Sequence, residues 1–101
     1  MLRYSLACAI TLLAQPTFAQ SEKEISCGYQ ADVVGAIKQA RLDRVSERKL
    51  REELAKNATW PEKYNNIIPI VAPSIYEKKR RDLRNEDLAG WWREQCMALE
   101  Q

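Results

Sequence analysis

Histidine is missing from this 101-residue sequence altogether. Without it there is no Ser-His-Asp or Cys-His constellation and no imidazole to serve as a general base. The three cysteines, Cys8, Cys27 and Cys96, form neither a C-x-x-C pair nor a C-x-x-C-H haem signal. Long apolar runs are also lacking. Residues 5 to 14 make the single one, too short for a bilayer that takes roughly 20 such residues. Nor is there any sustained apolar-polar alternation of the kind a half-buried strand shows. Charge of one sign is not in excess either: 16 Lys and Arg face 14 Asp and Glu. A balance this close to neutral offers no field that would favour nucleic acid as a partner.

The short apolar run acquires a meaning from its flanks. Arg3 precedes it, and Gln15-Pro16-Thr17-Phe18-Ala19 follows it, with small residues at the first and third positions before a cut after Ala19. These are the charged, apolar and cleavage regions of a signal peptide, so residues 1 to 19 are set apart from the fold. Leu6-Ala7-Cys8 has the outline of a lipidation site, but the apolar stretch lies after Cys8 rather than before it. The expected product is a single mature domain of residues 20 to 101, periplasmic or secreted, with a net charge of about +1 once Arg3 is gone.

A chain of that length buries only about 60 to 65% of the surface its unfolded form exposes. Such domains commonly need a staple. Cys27 and Cys96 are the two cysteines left after cleavage, and an oxidising compartment would pair them. Closing a loop of nearly seventy residues disfavours the unfolded chain by roughly 4 kcal/mol in the chain-entropy model. With both thiols used in this way, no ordinary zinc site remains, and neither metal nor cofactor is expected.

Helical periodicity runs through the rest. At about 100° per residue, Cys27, Ala31, Val33, Val34, Ile37, Leu42 and Val45 share one half of a helix spanning Ser26 to Arg44. Ser46 is placed to cap a short second helix ending near Asn57, with Val45 and Leu50 spaced as a hydrophobic staple. Thr59-Trp60-Pro61-Glu62 reads as a capping box for a third, Trp60 to Ile67. Pro69 and Pro73 predict a break or kink around residues 68 to 72. Ser74-Ile75-Tyr76-Glu77 repeats the capping-box spacing and predicts a helical continuation to Leu83. Asn85 is the expected cap of the last helix, whose Leu88, Trp91, Trp92, Cys96 and Leu99 recur at three- and four-residue steps. The fold class is therefore all-α: a small up-and-down bundle of about four helical segments, the third kinked by prolines, closed by one disulfide.

Two features suggest how such a domain acts. Lys78, Lys79, Arg80, Arg81 and Arg84 form the densest charge run, suited to anionic lipid headgroups or an acidic protein. Its plainer reading is a solvated helix face supported by Glu77 four residues before Arg81. Trp91 and Trp92 are too bulky for both to be buried in a thin bundle, so one is expected at the surface as a partner contact. The sequence thus predicts a non-enzymatic protein that binds another envelope protein or an anionic surface. A carboxylate-based hydrolase needs a cleft with one acid of raised pKa, for which a domain this small has little room. In size, helix content and a single long-range disulfide, the chain resembles acid-stress chaperones of the bacterial periplasm, a likeness of fold with no shared motif. That resemblance implies opening by acid, which would neutralise the carboxylates and leave a charge of about +15.

Intact-mass analysis of the protein from its native envelope tests this framework. The product is expected to start at Gln20, with both thiols protected from alkylation until reduction. Free thiols, or a product retaining residues 1 to 19, would defeat it.

Overall fold

The computed structural model describes residues 18 to 99, with side chains from Glu22 onward. The expected signal peptide up to Thr17, including Cys8, lies outside the described residues.

Helix α1, Phe18–Leu42, is the element on which the others pack. It begins well before the expected Ser26, because Ala19, Gln20, Glu22, Lys23 and Glu24 are good helix formers and no proline or glycine interrupts them. It therefore also runs through the expected cut after Ala19. Of its predicted apolar face, Cys27, Ala31, Val33, Val34 and Ile37 are buried while Leu42 and Val45 are only partly covered, and Ala40, not foreseen, is buried with them. The helix stops at Leu42, two residues earlier than expected, because Arg44 takes a left-handed φ of 68°. The Arg44 amide donates to the Arg41 carbonyl at 3.1 Å and the Val45 amide reaches back to Ala40 at 3.0 Å. This is a Schellman cap built on arginine at the position where glycine is favoured.

A 3-10 turn, Glu47–Lys49, leads into the short helix α2, Leu50–Ala55. Ser46 stands at the N-terminus of that turn but its hydroxyl makes no capping bond. Leu50 is fully buried and Leu54 partly so on a helix whose other face is exposed, and Val45 packs on the same core, so the expected staple pair does share one apolar contact region.

The third segment differs most from expectation. Residues Glu62–Ile67 form a 3-10 helix, with Pro61 rather than Thr59 at its cap, and helix α3 runs unbroken from Ile68 to Glu77. No break falls at 68 to 72. Pro69 lies in the first turn, where its missing amide hydrogen has no helical partner to lose. Pro73 is interior, but both prolines are exposed, and water can satisfy the carbonyl that Pro73 leaves without a donor. Ile68, Val71, Ala72 and Ile75 supply the buried stripe at three- and four-residue steps that holds the helix in place. Ser74 is no cap. Its hydroxyl donates to the Val71 carbonyl within the helix.

The interruption comes instead at Lys78 and Lys79, both extended, followed by the single turn α4, Arg80–Leu83. Helix α5, Leu88–Ala98, is capped by Asp87 and not by Asn85: Asp87 Oδ1 accepts from the Gly90 amide at 3.0 Å. That cap explains Gly90, since a Cβ there would meet Asp87 Oδ2 at 2.2 Å.

Helices α1 and α5 are antiparallel. Cys27 is bonded to Cys96 with Cα atoms 5.6 Å apart, Arg93 lies over Gly28, and Ala89 faces Gly35. The molecule is an all-α bundle around one core, closed by the expected disulfide.

The arginine cap has a measurable cost, because a Cβ in the left-handed region is disfavoured by roughly 1 to 2 kcal/mol. Arg44→Gly is expected to raise stability by about 1 kcal/mol, or roughly 4 to 8 °C in melting temperature. Arg44→Ala removes the same charge and keeps the Cβ. If it stabilises as much as glycine does, charge and not backbone strain is the cause.

Candidate functional site

The predicted partner-binding residues fall into two separate surfaces with Lys78 between them. The first is a groove of about 660 Å³ between α3 and α5. Val34 of α1 with Val71 and Ile75 of α3, all buried, make its base. Ile70 stands on one side and Trp91, Trp92 and Leu88 on the other. Ser74, Lys78, Glu86 and Asp87 supply its polar edge.

The two tryptophans of that wall do different things. Trp92 is half-buried against the core and its indole N–H donates to Gln30 Oε1 on α1 at 3.0 Å. Trp91 is 55% exposed and lies edge-on to Trp92, with ring centroids 6.5 Å apart. Across the groove Ile70 is 73% exposed. Trp91 is thus the tryptophan at the surface; Leu99 of the same repeat is also exposed, and the face toward α1 is carried by Leu88, Ala89, Trp92 and Cys96. Ile70 escaped notice in the sequence because the flanking prolines concealed the helix that projects it.

Lys78 fixes the edge of the groove. Its ammonium pairs with Glu86 Oε1 at 3.3 Å, and the ammonium of Lys38 donates to the Glu86 carbonyl. The Lys78 carbonyl, released where α3 ends, accepts from Arg41 Nη2 at 2.9 Å and Nε at 3.3 Å.

The second surface lies beyond that bond. Lys79, Arg80, Arg81 and Arg84 line a shallow concavity together with Arg41 of α1. The sequence run supplied four of these five residues, and Arg41 was missed because only the tertiary fold brings the end of α1 to this place. Glu77 does not support Arg81 as a helical neighbour, since the chain leaves the helix at Lys78 and Lys79. Arg81 instead makes a loose pair with the adjacent Asp82 at 3.9 Å. The neighbouring cations, above all Arg44 and then, with some burial, Arg41 and Arg84, hold the Arg80 pKa below the usual arginine value.

Tyr76 braces the second surface from behind. Its hydroxyl donates to the Val45 carbonyl at 2.8 Å, and the Arg41 guanidinium lies 5.5 Å from the centre of its ring. Among the described residues no three Cys, Asp or Glu side chains gather as a metal site would require, and no Asp or Glu is buried. Comparison with protein-family models, with curated proteins and with solved structures finds no match to this chain.

Burial raises the Tyr76 pKa above that of a free tyrosine, with Glu47 adding to the shift and Arg41 opposing it. A group whose native pKa is raised contributes stability below its unfolded pKa, near 10, and that contribution is lost as pH rises through the native value. Tyr76→Phe is therefore expected to cost about 1 kcal/mol near neutrality through the lost hydrogen bond. It should also flatten part of the stability decline above pH 10 (about the tyrosine value). Denaturant melts of both proteins across the alkaline range measure this, and identical slopes would contradict it.

Proposed function

We propose that this protein is a non-enzymatic binding protein of the cell envelope that takes an apolar segment of another protein into the groove between α3 and α5. The supporting observation is the pair of exposed apolar side chains, Ile70 and Trp91, on opposite sides of one groove with an apolar base. Water gains nothing from contact with either residue, and covering both with a partner removes apolar area from solvent. An amphipathic helix laid into such a groove would contact them through residues on a single face. Trp91 has the character of an interface anchor, large and rigid, with an indole N–H able to meet a polar group at the rim.

Location in the envelope is favoured by the disulfide and by the signal-like start of the sequence. No helix among the described residues is long and apolar enough to cross a membrane.

A photocrosslinking side chain at position 70, compared with one at Lys63 outside the groove, tests the reading in the native host. A single stoichiometric adduct is expected from position 70 and none from 63. Trp91→Ala should weaken it by about 2 kcal/mol, roughly thirtyfold, with helix content unchanged because Trp91 is exposed. Equal adducts from both positions, or indifference to Trp91→Ala, would count against the groove.

A further inference from the structure

The cationic concavity is separate from the groove and carries a ligand preference of its own. Five basic residues line it from two parts of the chain: Arg41 near the end of α1, and Lys79, Arg80, Arg81 and Arg84 around α4; Arg44, just past α1, adds its charge to Arg80 from outside the depression. Among the described residues, no carboxylate pairs with Arg41, Arg44, Arg80 or Arg84, and Arg81 has only its loose contact with Asp82. The residues are thus gathered against their mutual repulsion, with the loose Asp82 contact as the one carboxylate paired to them among the described residues. The negative end of the α1 dipole offsets part of this for Arg41 and Arg44 but acts only over the last turn.

One member is also held in place. Arg41 is fixed by two hydrogen bonds to the Lys78 carbonyl and by the ring of Tyr76 beneath it, so its orientation is set before any ligand arrives. Guanidinium groups present planar forks that match the paired oxygens of a phosphate, and several around one shallow depression suit a ligand of more than one negative charge. We propose that this concavity is a binding site for a phosphate-bearing anion, with Arg80 and Arg84 as its principal ligands and Arg41 as the oriented member at its base. Such a ligand supplies counter-charge beyond that of Asp82 and relieves the repulsion which lowers the Arg80 pKa. The phosphate could belong to an anionic lipid headgroup or to a soluble molecule, and the chemistry at the site is the same.

The test uses the purified protein with its disulfide intact and two probes. Pyrophosphate is titrated calorimetrically, and cosedimentation is measured with phosphatidylcholine vesicles with and without phosphatidylglycerol. Arg80→Gln/Arg84→Gln is compared with Lys63→Gln/Arg93→Gln, which removes the same charge from outside the concavity. Saturable binding of either probe, reduced roughly tenfold or more by the first pair and little by the second, supports the site. Pyrophosphate binding alone assigns it to a soluble ligand; vesicle binding that pyrophosphate displaces assigns it to a headgroup. Binding of neither probe, or equal losses in both double variants, overturns the proposal. Stability gives a second readout, since the Arg80/Arg84 variant should melt no lower than the native protein when like charges are removed. A lower melting temperature would mean that the arginines serve contacts within the chain, and would also overturn it.

Discussion

The bond between Cys27 and Cys96 is the constraint on which the arrangement of the molecule rests. Helix α5 buries none of its side chains completely; Leu88, Trp92 and Cys96 are only partly covered. An eleven-residue helix with so little apolar burial would be marginal by itself. The disulfide ties it to α1 across 69 positions, against a buried Cys27 that cannot shift without disturbing the core. The Trp92 to Gln30 bond and the Asp87 cap then set its rotation and its start. Trp91 projects from the outer side of a helix held in this way, and the groove exists because α5 is kept at that distance from α3.

The parts of this design that were legible in the sequence are those decided by local chemistry or by elimination. Two cysteines remaining after the predicted cleavage can pair in one way only. Most of the buried face of α1 followed from spacing, and so did the pairing of Val45 with Leu50 on one core. The prolines misled, because Pro73 argued for a break while Ile68, Val71, Ala72 and Ile75 argued for a helix. Burial of that stripe outweighed one lost hydrogen bond whose orphaned carbonyl stays wet. The capping-box spacing at Ser74 was an accident of composition, since a serine inside a helix can bond its own preceding turn. For the surfaces, the basic run was visible but its completion by Arg41 was not. Nothing local connects residues 41 and 80.

Lys78 is where the two surfaces meet, and it serves each with a different atom. Its ammonium closes the groove against Glu86, while its carbonyl holds the Arg41 guanidinium at the concavity. The backbone carbonyl is available only because the helix ends there. The interruption between α3 and α4 is thus a working part of both surfaces, and its extended geometry at Lys78 and Lys79 turns the cationic residues that follow away from the groove.

Pairing the first helix with the last also sets the order of events during synthesis. The wide apolar face of α1 is made first, and the helix that covers much of it arrives only after about seventy further residues. At roughly 5 to 20 residues per second, that face waits for several seconds with α3 as its largest earlier partner. A newly made chain therefore passes through a period in which the side of α1 around Cys27 and Val34 is incompletely sheltered, open to self-association until Cys96 arrives.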